Sequence, residues 1–338
     1  MPNRRRVTAK DIADACNVSQ ATVSYVLNHT AGKRISEAKR LEILQTAKEM
    51  NYVPNRSAKD MRKNHGSSIG FVCKYYYHAG FGRILNGLKD SLNTVGYTLT
   101  LLTESGTVDF HEILQQYYSN NISGVIFAAF HTEEINTTPL EENNIPFVVI
   151  DENGVRCNHF SSSKAFDNAL YDCIQFCKDN NLRKIRYFTR SVNGTVLTDK
   201  YRPLTEALEN VWPEAEFERI IFDTRSGVSS KTMVYDKLRD YLLTHEFDIA
   251  ISSNYILGML LQNCILTQQF SIPQNPLHIC LSYSPFLERV YPSLSSIHIP
   301  YYEMGLYAAE LILSIINDEP IAPKDFKCTL LHLDTTRL

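Results

Sequence analysis

The chain has 338 residues, 44% of them apolar and 21% charged. At roughly 150 residues per domain, that composition predicts two or three domains with full cores and excludes a disordered or fibrous protein. Apolar runs such as residues 124–130 fall well short of the roughly 20 residues that cross a bilayer, and the opening MPNRRRVTAKD puts charge where a secretion signal is apolar. The expectation is a soluble cytoplasmic protein with no membrane partner. Its eight cysteines include no C-x-x-C pair and read as reduced thiols.

Charge is divided unevenly along the chain. Residues 1–65 hold thirteen Lys/Arg and six Asp/Glu, a net +7; the other 21 basic and 31 acidic residues give −10, which restores the overall −3. A small basic body on a large acidic one suggests a polyanion-binding module attached to a carrier with another task, since Lys and Arg gain affinity by releasing phosphate counterions.

The first 65 residues read as short helices. Thr8 can cap a helix with Asp11 at its third position, Ile12, Ala15 and Cys16 then share a face, and Asn17 tolerates the left-handed conformation that ends it. Ser19 caps a second helix in which Val23, Val26 and Leu27 recur at i, i+3, i+4, leaving Gln20, Ala21, Ser24, Tyr25 and Asn28 outward. A third helix begins at Ser36, carries Leu41, Leu44 and Ala47 inward, and ends by Tyr52, before Pro54. Packing explains everything here except the outer face of the second helix.

VTAKDIADACNVSQATVSYVLN, followed by ISEAKR and NYVPN, resembles the headpiece of the LacI/GalR family of bacterial transcriptional regulators. The resemblance implies that residues 1–53 form a helix-turn-helix unit whose second helix enters the major groove of double-stranded DNA. Gln20, Ala21 and Tyr25 are then placed at base edges, with Thr8, Ser19, Thr22, Ser24 and Asn28 near phosphates. Tyr25 stands where many members carry Arg or His, so one hydroxyl and an apolar edge replace a bidentate guanine contact. Residues 29–35 run about two residues longer than the usual family form, and Lys33 and Arg34 within them are expected on phosphates.

Residues 54–66 form a link. NRSAKDMRKN has helix-forming residues but almost no apolar face, and so short a helix is marginal in water. In the family this segment becomes a hinge helix when two copies meet on a near-palindromic operator and push an apolar side chain into the minor groove. The resemblance gives that role to Met61, where Leu is usual, with Asn55, Ala58 and Lys59 beside it.

From Ser68 the pattern turns to short β-rich runs (IGFVC, YTLTLLT, GVIFAAF, FVVI, KIRYF, RIIF, DIAIS, LHICLS) separated by amphipathic stretches. Strand–helix alternation of this kind means parallel sheets with helices on both faces. GRILNGLKDSLNTVGYTLTLL, SGVIFAA, IPFVVID and IPYYEMGLYAAELIL resemble the periplasmic-binding-protein-like core of the same family. The resemblance implies an α/β effector-binding and dimerisation domain over residues 67–338. Its two parallel-sheet subdomains would comprise about 67–159 with 287–319, and about 160–286 with 320–338, joined by crossovers near 158–161, 285–289 and 318–322. It implies a homodimer whose contact surface is residues 81–92.

Catalytic chemistry finds no foothold. Gly80-Phe-Gly82 lacks the third glycine of a dinucleotide loop because Leu85 stands there, and no Walker A sequence, G-x-S-x-G elbow, H-E-x-x-H or close set of metal ligands occurs. The expectation is no enzyme, no metal and no cofactor. A sugar-binding receptor of the periplasmic type without a DNA role is the alternative, and it lacks a secretion signal.

For a small sugar-like effector the resemblance implies Tyr75, His78, Phe81, Arg202, Asn254 and Tyr283. Two carboxylates usual in the family are replaced: Tyr255 follows Asn254, and Leu281-Ser282-Tyr283-Ser284 stands for a G-F-D-D strand end. Ser163 likewise replaces the start of an Asp-Asn pair. Tyr75, Tyr76, Tyr77 and His78 follow the first strand, either as cleft-lining groups or as a surface loop. Retaining Arg202 while losing acidic partners tilts the expected ligand from a neutral sugar toward an anionic one.

Overall fold

The computed structural model describes residues 8–27, 35–50, 67–73, 78–102, 110–129, 137–151, 154–157, 165–192, 195–196, 200–224, 230–268 and 276–337. Asn28, Lys33, Arg34, the whole hinge with Asn55, Ala58, Lys59 and Met61, then Tyr75, Tyr76, Tyr77, Ser163 and the crossover at 158–161 lie outside those residues. The chain separates into two compact units, Met1–Gly66 and Ser67–Leu338.

In the first unit, helices α1 (Ala9–Ala15), α2 (Gln20–Leu27) and α3 (Glu37–Glu49) enclose a small core of Ile12, Ala13, Cys16, Val23, Val26, Ile43 and Ala47. Thr8 and Asp11 make a reciprocal capping box, with the Thr8 backbone N–H donating to Asp11 Oδ2 at 2.7 Å. Asn17 takes φ 51° and turns the chain toward α2, as a short amide side chain permits. Two inward positions differ from the sequence expectation. Ala15 is exposed and Ala13 buried on α1; on α3, Leu41 is 57% exposed while Ile43 is fully enclosed. The inward stripe of α3 runs through 43 and 47, and Leu41, two residues earlier, points about 200° away from Ile43.

The second unit contains two sheets. In the first, β1 (Ser68–Cys73), β2 (Thr98–Leu101), β3 (Ile122–Ala128), β4 (Phe147–Asp151) and β5 (Gly154–Arg156) lie in the order β2-β1-β3-β4-β5, parallel except for the β4–β5 hairpin. Alternation along the strands fills both faces. Phe71, Ile126 and Val148 enter one apolar cluster, and Val72, Phe127 and Val149 enter another. Helices α4 (Ala79–Thr94), α5 (Phe110–Ser119) and α6 (Thr138–Glu142) connect these strands.

After α7 (Ala165–Asp179), the second sheet is built from β6 (Lys184–Val192), β7 (Thr195–Val196), β8 (Glu216–Thr224), β9 (Ile249–Ser252), β10 (Leu277–Cys280), β11 (Ser295–His298) and β12 (Thr329–Leu331). Its order is β12-β11-β10-β9-β6-β7, with β8 also paired to β6. Helices α8 (Tyr201–Val211), α9 (Ser230–Thr244) and α10 (Tyr255–Gln268) serve this layer.

Helix α11 (Tyr301–Asn317) leaves the second sheet and packs on α4 and on β3 and β4 of the first. The α4–α11 crossing is close because glycines face each other. A Cβ on Gly87 would run into the Tyr302 carbonyl and come within 2.8 Å of the Leu306 nitrogen, and one on Gly305 would lie 2.5 Å from the Ile84 carbonyl oxygen. This changes the expected boundary. Residues 287–298 go with the second sheet, since β11 pairs with β10 and β12, so the chain returns to the first layer at 299–300 and not at 285–289. Serines at 293, 295 and 296 hide β11 from a hydrophobic pattern search. The apolar stripe of α4 is likewise spent inside its own layer: Ile84, Leu88 and Leu92 are buried, leaving Asn86, Lys89 and Asn93 outward rather than an apolar contact surface over 81–92.

Candidate nucleic-acid interface and ligand cleft

On the headpiece, α2 presents Gln20, Ala21 and Ser24 exposed and Tyr25 half-buried. Ser19 Oγ accepts from the Thr22 backbone N–H at 3.1 Å and lies 2.9 Å from the Thr22 hydroxyl, so this pair caps the helix while staying on its outer edge. The N-terminal end of α2 thus offers free backbone N–H groups and hydroxyls beside a polar face, a combination suited to phosphate and to base edges.

In the larger unit, the C-terminal ends of the parallel strands bring together segments from both layers. His78 begins α4, its Nδ1 accepting from the Gly80 N–H at 3.1 Å and its ring meeting Tyr301 edge-on at 5.8 Å. Gly80 is required there, because a Cβ would lie 2.6 Å from the Tyr301 ring. Phe81 stacks on Phe71 at 5.9 Å and packs into the core beside the cleft. From the second layer, Asn254 Oδ1 caps α10 by accepting from the Leu257 N–H at 3.0 Å, and its Nδ2 donates to Ser253 Oγ at 3.3 Å.

Tyr283, which follows β10, is almost enclosed and joins several groups. Its hydroxyl donates to Glu288 Oε1 at 2.6 Å and accepts from Arg83 Nη2 at 3.2 Å, and its ring meets His298 at 4.9 Å. Arg83 comes from α4 and Tyr283 from the second layer, so this contact joins the two layers. Burial is the largest cause that raises the Tyr283 phenol above its ordinary pKa, followed by the Glu288 hydrogen bond. Burial first and the charge of Arg83 second hold the His298 imidazole below its ordinary range.

Arg202 does not join this group. Its side chain is 88% exposed and pairs along α8 with Glu206 at 3.4 Å. The buried cation near this group is Lys200, 4% exposed, whose ammonium donates to the Leu281 carbonyl at 2.9 Å and lies 4.2 Å from the centre of the Phe166 ring. Neither Lys200 nor Arg83 was singled out from the sequence. One signal was present: Lys200 is the residue before α8, where Ser, Thr, Asp or Asn is usual and where a cation opposes the helix dipole.

Residues 8–55 match the family model described as bacterial regulatory proteins, lacI family. The ribose operon repressor of Bacillus subtilis (strain 168) is 27% identical over 319 residues, covering 93% of each chain. The chain is thus similar to LacI-family regulators, over the headpiece by the family model and along most of its length by the relatives. It also shares its fold with a lac repressor dimer bound to operator and the anti-inducer ONPF (TM-score 0.72, 15% identity, 98% of this chain and 99% of the other). A LacI-family regulator from Silicibacter pomeroyi has the same fold at TM-score 0.70 and 22% identity, with 98% of this chain and 100% of the other covered. Among the described residues, no helix is long and apolar enough to cross a membrane.

Proposed function

We propose that the protein is a cytoplasmic, homodimeric repressor of transcription, associated with the nucleoid when bound, that holds a near-palindromic operator and is controlled by a small sugar-like effector. One observation carries the DNA role: the outer face of α2, with Gln20, Ala21, Ser24 and Tyr25, is left over once the headpiece core is complete, and it sits in the basic part of the chain. The matched relatives are transcriptional regulators rather than enzymes, which supports a binding function without catalysis.

In this reading Gln20, Ala21 and Tyr25 contact bases. Thr8, Ser19, Thr22, Ser24, Asn28, Lys33 and Arg34 position the headpiece on phosphates, and the 54–66 hinge with Asn55, Ala58, Lys59 and Met61 reaches the minor groove. The effector lies between the layers of residues 67–338, near His78, Asn254 and Tyr283, and Tyr75, three residues before His78 in the sequence, is assigned to it as well. Exposed apolar side chains on this unit, including Ile256, Phe286 and Tyr291, give a second copy something to cover.

The test is selection of an operator from random duplexes, followed by titration of variants on it. Tyr25→Ala costs about 1 to 3 kcal/mol on the selected site and little on random DNA, whereas Lys33→Ala and Arg34→Ala weaken both alike and reduce the salt dependence. Equal binding of Tyr25→Ala to both sites defeats the placement of the recognition face. Failure to select any sequence favours a sugar-binding protein with no DNA role.

A further inference from the structure

Several arginines of the 67–338 unit are held by carboxylates, and Arg83 is not. Arg186 pairs with Glu216 and Glu218, Arg202 with Glu206, Arg239 with Asp236 and Asp240, and Arg337 with Asp334. Arg83 is half-buried in the second turn of α4, and among the described residues no carboxylate oxygen lies within ion-pair distance of it. Its hydrogen bond goes to the neutral Tyr283 hydroxyl at 3.2 Å, with the guanidinium carbon 4.9 Å from the centre of that ring. A guanidinium carries five N–H donors in a planar fork, so most of its capacity is unspent.

The surroundings explain why this charge persists. Tyr283 donates its proton to Glu288, which leaves a lone pair for Arg83 and keeps the phenol between guanidinium and carboxylate. The groups acting on His298 are Arg83, Glu303 and Glu288, and the imidazole still sits below its ordinary range. Lys200 reaches the same 281–283 segment from the second layer through the Leu281 carbonyl. The other strand-end groups there, Ser253, Asn254, Ser282 and Ser284, are hydroxyls and an amide. Two cations, one from each layer, thus meet hydroxyls, an amide and a phenol, with the Glu288 carboxylate held behind the Tyr283 hydroxyl, a set that matches a negative ligand better than a neutral one.

We infer that Arg83 reads the charge of the effector, and that the cleft takes a small anionic sugar, a sugar acid or a sugar phosphate, whose carboxylate or phosphate displaces the Tyr283 hydroxyl from the guanidinium. The inference rests on the regulator reading above, which supplies an effector but leaves its charge open. Displacement costs little, because Tyr283 keeps its shorter bond to Glu288 while Arg83 exchanges a neutral acceptor for a bidentate anion.

The test is calorimetry and thermal unfolding of the full chain at fixed ionic strength with glucose, glucose 6-phosphate, gluconate and inorganic phosphate. Saturable binding of glucose 6-phosphate or gluconate, about tenfold or more tighter than glucose, is expected. Whichever of the two binds identifies phosphate or carboxylate as the group read. Arg83→Gln removes the preference for the anion, Arg83→Lys retains part of it, and Arg239→Gln, an exposed pair on α9, changes nothing; circular dichroism confirms that each variant folds. No saturable response to either anionic sugar, a preference for glucose, binding indifferent to Arg83→Gln, or inorganic phosphate binding as tightly as the sugar anion each overturns the assignment. Operator titration of the same preparations separates the two readings. A chain that binds DNA and ignores the anions sinks the charge assignment alone, and one that does neither sinks both.

Discussion

The two layers of residues 67–338 are built on similar parallel sheets and bury different chemistry. Among the described residues, Ser123 is the buried polar side chain of the first layer, whereas the second encloses Arg186, Thr189, Ser191, Ser252, Gln262, His278, Ser295 and Ser296 among others, together with Thr335 and Thr336. Glycines bring α4 and α11 of the first layer to backbone contact; side-chain hydrogen bonds hold the second. The difference teaches which errors each can absorb. A core held by close approach fails when volume is added, and a polar one fails when a partner is removed.

The largest effect should come from filling the glycine crossing. Gly305→Val sets a branched side chain against the Ile84 carbonyl, and the backbones of α4 and α11 must part, at a cost of about 3 kcal/mol or more in urea unfolding. A loss under about 1 kcal/mol would mean that the first layer yields as readily as a loose surface contact.

Next is His278, which is fully enclosed, with Nδ1 3.0 Å from Gln262 Oε1 and Nε2 3.0 Å from Ser252 Oγ. A neutral ring satisfies both neighbours, donating to one and accepting from the other. His278→Leu strands them and should cost about 2 to 3 kcal/mol. Burial drives the pKa of His278 down from 6.5 to about 3. Between those values the unfolded chain takes up a proton that the folded chain refuses, so stability falls as pH drops from 6.5 toward 3, by at most about 1.4 kcal/mol per pH unit from this group. Stability measured across that range should show a shallower slope in His278→Leu; an unchanged slope would remove this histidine from the account.

Thr335→Val is milder. Thr335 Oγ1 donates to the His278 carbonyl at 2.8 Å and accepts from the Ser295 N–H at 2.9 Å. Losing both should cost about 1 to 2 kcal/mol, and the same change should also speed amide exchange in β11. Smallest is Arg202→Ala. Its exposed pair with Glu206 is solvent-screened, so unfolding should shift by no more than about 0.5 kcal/mol. A larger loss would show that α8 depends on a surface charge.

Local rules were legible in the sequence, and long-range ones were not. Thr8 with Asp11, the Ser19 cap, the Asn17 turn and the buried Val23 and Val26 all depend on residues within a few positions. The eight β-rich runs from IGFVC to LHICLS each fall on a strand. Leu41 and Ile43 were exchanged because α3 offers apolar residues on more than one face, and β11 was missed because hydroxyls fill its inward positions. Arg83 and Lys200 gain their meaning from residues 281–283, about 200 and 80 positions away, and no local pattern carries that. Arg202, the arginine beside Lys200, drew the attention that belonged to its neighbour.

The α11 crossover also sets a timetable for synthesis. The strands of the first layer are complete at Arg156, yet the helix that closes it against α4 ends at Asn317. The second sheet waits for β12 and for Asp334–Thr336, whose side chains hold Ser293 and Ser295. At about 5 to 20 residues added per second, a nascent chain carries an open first sheet on the order of ten seconds before its cover emerges. A premature stop before α11 would therefore leave neither layer closed, whereas one between Asn317 and Asp334 would leave only the second unfinished.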